Sequence, residues 1–348
     1  MATTVSPVPL VFFYKGDNVP PYATLSLSDA VRKWSGPVIF LTNVSEFAAP
    51  NGVEVIDFTD FYQDDKFLKF KNNSPLNAGF RDGFWFHTAE RFFVLHQYSQ
   101  RFGVTRFLHL ELDVIFTNSR FDPVFMDQQQ RGVFYPSGSK GHAGASIFAV
   151  TKVETLGEFV EFCIDNASVG DEMALLWSFQ KLGRPDVFAL PSHTFFETSR
   201  ASEIPGSLSP DLVGGVYDVQ AFGTWLLGQD PRNTPKGPTF NKFVFEDIGS
   251  NVLEGLTFAF NPISRRLVVK DGFGSSQEIL CLHVHSKNLA LALNPLALFA
   301  VVILSRLPFR IPLSRQNLVR YGLRKAKEKI DTVYSAVTHG MGIRGRSG

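Results

Sequence analysis

Several quick routes to a class are closed by what this sequence does not contain. Two cysteines in 348 residues are too few for a disulfide scaffold, which makes a reducing compartment the expectation. The formal net charge is only +1, so the chain as a whole is not built to grip nucleic acid. No apolar run reaches the ~20 residues that cross a bilayer as a helix. There is no G-x-x-x-x-G-K-[ST] loop and no G-x-G-x-x-G after the first apolar run, so neither a P-loop nor a dinucleotide fingerprint is present. No G-x-S-x-G occurs, and Cys163 and Cys281 lack the partner cysteines of a zinc site. The opening residues, Met1 to Tyr14, have no basic n-region and no small-residue cleavage site. They read as a first buried strand rather than a secretory signal, which points to a cytoplasmic protein. The N-x-S triplets at Asn43, Asn72 and Asn166 then read as chance matches.

What is present is apolar and aromatic. With 44% hydrophobic and 19% charged residues the chain is globular. Its 35 Phe are about twice an average share and read first as core. The near-zero charge hides a division. From Ser305 to the end there are ten Lys and Arg against Glu328 and Asp331, or +8, leaving 24 bases and 31 acids, or −7, in the first 304 residues. Before the basic tail, Leu289 to Leu304 is apolar except for Asn294, with Pro295 placed to kink a helix. An apolar segment followed by a basic one suggests an anchor on an anionic membrane surface, peripheral on the cytosolic face. The alternative is a C-terminal helix packed on the core and followed by a solvated tail. The domain reading is therefore one α/β domain over 1–288 and an apolar-then-basic extension over 289–348.

Val8–Tyr14, Pro37–Leu41 and Val53–Phe58 have strand length, with a helix over Ser26–Trp34 capped by Ser26 or Ser28. That spacing predicts a βαβ start and a parallel sheet. Asp60–Ser74 reads as a loop or short helix. Phe84, Thr88, Arg91, Phe92, Leu95 and Tyr98 step round a helix over Phe84–Phe102 that Gly103 stops. Further strands are expected at Phe107–Phe116, Val133–Tyr135 and Ala145–Val150, and helices at Lys152–Asp165 and Asp171–Leu182. The stretch Pro205–Pro238 is rich in Pro and Gly and reads as loops or a cover. Leu256–Phe260, Arg265–Val269 and Glu278–Val284 read as late strands.

Two motifs carry chemistry at the ends of apolar strands. In His109-Leu-Glu111-Leu-Asp113, alternation along one long strand puts the three polar groups on a single face. Two carboxylates there are costly without a partner, and Mg²⁺ or Mn²⁺ suits hard oxygen ligands. In His283-Val-His285-Ser-Lys287, alternation again aligns His283, His285 and Lys287. One imidazole then completes a metal site, and Lys287 neutralises phosphate. Each motif standing alone reads as a wet edge strand. Asp171 and Glu172 open a helix, either as a plain cap or as a general base. Arg232, in a turn-like stretch, is a candidate phosphate partner, and Arg91 is grouped with it as a second candidate of the same kind.

Taken in order, these features resemble a nucleotide-sugar-dependent glycosyltransferase of the GT-A fold. The points of likeness are the strand ending in Glu111 and Asp113, the small-residue run Gly144-Ala-Ser146, the acid-headed helix at Asp171 and Glu172, and the late His-x-His-Ser-Lys. "PPYATLSLSDAVRKWSGPVIFLTN" and "YDVQAFGTWLLGQDPRN" look like stretches of bacterial-type members, and the likeness runs over about residues 8–290. It implies a mostly parallel Rossmann-like sheet flanked by helices, a nucleotide-sugar donor, and a glycan or other hydroxyl acceptor. It implies Mn²⁺ or Mg²⁺ on Asp113 and Glu111 with His285 or His283, and donor contacts from Glu111, Lys287, Arg232 and Arg91. Asp171 or Glu172 is the acceptor-side acid. The chain departs from the D-x-D pattern at its first acid, which is Glu111. A nucleotidyl- or phosphotransferase, or a non-catalytic sugar-binding protein, would use the same sheet.

Overall fold

The chain begins with β1 (Leu10–Tyr14), α1 (Tyr22–Lys33), β2 (Val38–Thr42), β3 (Val53–Asp57), α2 (Asp65–Asn73) and α3 (Phe84–Phe102). It continues through β4 (Phe107–Leu110), β5 (Val114–Phe116), β6 (Val133–Pro136), β7 (Ile147–Val150), α4 (Val153–Asp165), α5 (Glu172–Gln180) and β8 (Val187–Leu190). Then come α6 (Pro210–Val213), β9 (Val216–Tyr217), α7 (Ala221–Leu227), β10 (Thr257–Asn261), β11 (Arg266–Lys270) and β12 (Ser276–His283). Two short helices, α8 (Leu289–Leu293) and α9 (Pro295–Leu304), follow. This computed structural model describes residues 7–80, 83–118, 126, 130–138, 141–196, 204–228, 253, 255–285 and 287–304.

Seven strands form the main sheet in the order β3-β2-β1-β4-β7-β6-β8. All neighbours are parallel except at β7, which is antiparallel to β4 and β6. The expected mostly parallel α/β sheet is thus the one observed. β2 and β3 lie to one side of β1, and β4 lies to the other. Sheets of this kind leave a crevice beyond the carboxyl ends of strands where the order reverses. Here the order reverses between β1 and β4, whose carboxyl ends lead into the residues after Tyr14 and after Leu110.

One face of the sheet is covered by α2 to α5 and the other by α1. The Phe excess is largely spent here. Phe92 of α3 lies edge-on to Phe148 and Phe159, both with ring centroids 5.1 Å away, a geometry that aromatic quadrupoles favour. α3 has the expected bounds, and Gly103 caps it at φ 64°, a left-handed turn suited to glycine.

α1 differs from expectation by starting at Tyr22, not Ser26. Pro21 already has helical dihedrals, and the Pro20 carbonyl accepts the Ala23 N–H at 2.9 Å, so the prolines start the helix. Ser26 is buried inside it. The other difference matters more. Phe107–Phe116 is two strands in two sheets, not one. The chain leaves β4 at Leu110, turns at Glu111–Asp113 with the Val114 N–H donating to the Glu111 carbonyl at 3.0 Å, and enters β5. Alternation therefore does not carry past Leu110. His109 points inward, its Nδ1 2.9 Å from the Val11 carbonyl oxygen.

The second sheet runs β10-β11-β12-β5 with antiparallel neighbours, and β9 pairs with β12 in parallel. Its core includes Phe222 and Leu226 of α7, Leu289 and Ala292 of α8, and Leu298, Val301 and Val302 of α9. The apolar residues 289–304 thus pack on this sheet. Asn294 and Pro295 divide them into two helices, with Asn294 Oδ1 accepting the Leu296 and Ala297 N–H groups at 3.0 and 3.1 Å. The basic tail from Ser305 lies outside the described residues. Among the described residues no helix is long and apolar enough to cross a membrane.

Candidate functional site

The β12–β5 pairing brings the two motifs together. His283 lies opposite Val114 in register, so the end of β12 abuts the turn that carries Glu111 and Asp113. His283 Nε2 is 3.0 Å from Asp113 Oδ2 and 3.5 Å from Glu111 Oε2. One ligand atom from each of the three residues falls within 4.8 Å of the others. Lys287 Nζ also donates to Asp113 Oδ2. Lys287 sits beyond the end of β12 at φ 60°. It reaches Asp113 through a turn, closed by its own N–H on the Val284 carbonyl at 2.8 Å, rather than by strand alternation. His285 is half-buried in that turn with its ring 5.7 Å from that of His283. Arg232 lies outside the described residues.

The chemistry of the donor set suits a hard divalent cation: two carboxylates and one imidazole. The tautomer suits it too. His283 Nδ1 is 2.7 Å from the Val219 carbonyl oxygen, which can only accept. Nδ1 therefore carries a proton in either charge state, and Nε2 is the nitrogen aimed at the carboxylates, able to bind a cation once it gives up its own proton, as in imidazole ligands oriented by an outer partner.

Charge at the site is tightly balanced. Burial alone would raise the Asp113 carboxyl, but Lys287 and His283 hold it well below the usual carboxylate range. Burial likewise opposes ionisation of Glu111, and Arg91 followed by His283 outweighs it. For His283 burial favours the neutral ring, yet Asp113 and Glu111 push it up to about 9. The neighbouring His109 is driven down to about 3 by burial and then by Arg91, so it stays neutral.

Behind Glu111 stands Arg91 of α3, buried, with Nη1 donating to Glu111 Oε1 and Nη2 donating to Glu172 Oε1 at 3.1 Å. Glu172 Oε2 accepts from Thr88 Oγ1 at 2.7 Å. Burial pushes Glu172 up to about 7 against the pull of Arg91. Asp171, half-buried, caps α5 through Oδ1 on the Ala174 N–H at 3.0 Å.

The sequence motifs do not mark the group that fixes His283 in place. Asp218 is fully buried and accepts three backbone N–H groups, from Phe222 at 2.9 Å, Gly223 at 2.8 Å and His283 at 3.0 Å. It ties the start of α7 to the end of β12. Burial raises its carboxyl to about 6 despite His283 and these bonds. Gly223 permits the approach, because a Cβ there would lie 1.8 Å from the His283 carbonyl oxygen. An Asp four residues before a helical Phe-Gly is the signal in the sequence, and it looks like an ordinary cap.

No family model matches the chain, and no curated protein sequence matches it. Solved structures do. LgtC, seen as an active-site mutant, is 12% identical over 70% of this chain and 96% of its own, with a TM-score of 0.40. The galactosyltransferase LgtC in complex with donor and acceptor sugar analogs is 12% identical over 71% and 94%, at 0.39. The bifunctional glycosyltransferase WbbM is 13% identical over 55% of this chain, at 0.36, and the match spans only 40% of WbbM.

Proposed function

We propose that the protein is a glycosyltransferase that moves a sugar from a nucleoside-diphosphate sugar to a hydroxyl acceptor. The observation that carries this reading is the meeting of Glu111, Asp113 and His283 beside Lys287, next to the crevice where the strand order reverses. Glycosyl transfer from such a donor requires charge on the departing diphosphate to be neutralised. Mn²⁺ or Mg²⁺, held by Asp113, Glu111 and His283, supplies that Lewis-acid charge when bound. Lys287 is placed to leave Asp113 for a diphosphate oxygen, and Arg232 is a second candidate for the same anion. Arg91 orients Glu111. Asp171, half-buried at the head of α5, is the candidate acid on the acceptor side. Of the two late histidines, His283 is the one grouped with the carboxylates, while His285 stands beside it with ring centroids 5.7 Å apart and is outside that group.

The test is a panel of nucleotide sugars incubated with Mn²⁺, with assay of free nucleoside diphosphate. The proposal requires release from at least one donor and its loss in Asp113→Asn. Release of pyrophosphate from a nucleoside triphosphate would instead make the protein a nucleotidyltransferase. Tight sugar binding without turnover would make it a binding protein.

We further propose that the C-terminal segment brings the enzyme to an anionic membrane surface on the cytosolic side. Support comes from the +8 charge beyond residue 304. It also comes from Leu296 and Ile303, one face of α9, which remain 49% and 44% exposed. Truncation after Leu304 should abolish binding to phosphatidylserine vesicles while donor hydrolysis persists. Unchanged vesicle binding would refute it.

A further inference from the structure

Glu172 lies too deep for a group that meets an acceptor in solvent. It is 5% exposed, and each of its oxygens is taken, Oε2 by Thr88 and Oε1 by Arg91. What it touches leads to the metal cluster. The guanidinium of Arg91 is planar, and its two terminal nitrogens go to two different acids, Nη2 to Glu172 and Nη1 to Glu111. The group is held from a third side by the Phe92 ring, 5.3 Å from the guanidinium carbon. Because the fork is rigid, the position of Glu172 sets the position of Glu111. The free oxygen of Glu111, Oε2, is the one that faces His283 Nε2 at 3.5 Å. Charge travels the same way. Arg91 shares one positive charge between two carboxylates, so neutralising Glu172 concentrates that charge on Glu111 and makes it a poorer cation ligand.

We propose that Glu172, anchored by Thr88, is a positioning residue that acts through Arg91 to set the pose and ligand strength of Glu111. It thereby governs metal affinity without touching the metal. This rests on the proposed metal site and adds to it a role for the acid at the head of α5. Outer residues of this sort typically change metal affinity about 10–100-fold when replaced.

The experiment is titration calorimetry of Mn²⁺ into the full chain at fixed pH, with thermal unfolding run on each variant. Glu172→Gln keeps the shape and, through its carbonyl oxygen, the Thr88 contact, but sets its NH₂ against Arg91 Nη2; it should weaken Mn²⁺ binding about tenfold and lower the melting temperature modestly. Thr88→Val should weaken it less. In an Arg91→Lys background, where no fork transmits the effect, Glu172→Gln should cause no further loss. Equal losses in both backgrounds would mean a general structural role and would overturn the proposal, as would wild-type affinity in Glu172→Gln. A wild-type chain that binds no Mn²⁺ would overturn the metal site itself, and this inference with it.

Discussion

His283 must lose a proton before its Nε2 can bind a cation, and that makes metal affinity depend on pH in a calculable way. Burial favours the neutral ring, but Asp113 and Glu111 raise the group to about 9. Near pH 7 only a small fraction of molecules, on the order of one in a hundred, has the neutral ring, so binding there is weaker than at pH well above 9. Glu111 and Asp113 add nothing to this dependence, because the surrounding cations keep both below the usual carboxylate range. One proton is therefore displaced per cation, and affinity rises about tenfold per pH unit, or roughly 30-fold from pH 6.5 to 8.0. Calorimetry with Mn²⁺ in buffers of different ionisation enthalpy reads both the affinity and the proton released. His283→Asn should bind more weakly at pH 8.0 and lose most of the slope. A flat profile in the wild-type protein, or an unchanged slope in His283→Asn, would refute the assignment of His283 as the ligand.

The other expectations concern the frame behind the site. Gly223→Ala puts a methyl group 1.8 Å from the His283 carbonyl oxygen, so α7 must move off β12. A loss of several kcal/mol, on the scale of overpacking plus a broken buried bond, should appear in urea unfolding. Asp218→Asn replaces one accepting oxygen with a donor facing backbone N–H groups, and should cost about 1–3 kcal/mol and weaken Mn²⁺ binding. Phe92→Ala opens a cavity between α3, α4 and β7 and should cost about 3–5 kcal/mol in the same assay.

Much of the frame is legible because it depends on local pattern. α3 carries a series of residues stepping at three to four positions and a glycine stop, and both of its ends follow from that. The strands β1 and β2 are short apolar runs between turn residues, β3 is an edge strand beside them, and they pair in parallel as the spacing implies. Glu111, Asp113 and the late histidines stand out because ionisable groups end otherwise apolar runs. What the sequence does not contain is the geometry that joins them. Alternation puts His109, Glu111 and Asp113 on one face, but the chain turns at Glu111 to change sheets, so His109 is buried elsewhere. The choice of His283 comes from the β12–β5 register and from the Val219 carbonyl. Both depend on contacts between segments more than sixty residues apart. Asp218 and Gly223 lie in the stretch 217–233 that the sequence offers as a turn, but their role is not read there for the same reason: it is a close approach of α7 to β12. Glu172 reads as a cap-type acid until Arg91 is seen bridging it to Glu111.

The central claim is that Glu111, Asp113 and His283 hold a divalent cation that receives a donor's diphosphate. Crystals grown with Mn²⁺ and a nucleoside diphosphate test it directly. The account predicts an anomalous peak bonded to Asp113, Glu111 and His283 Nε2, with Lys287 moved from Asp113 to a phosphate oxygen. Mn²⁺ bound elsewhere, or a nucleotide bound with Lys287 still on Asp113 and no metal between the carboxylates, would contradict it.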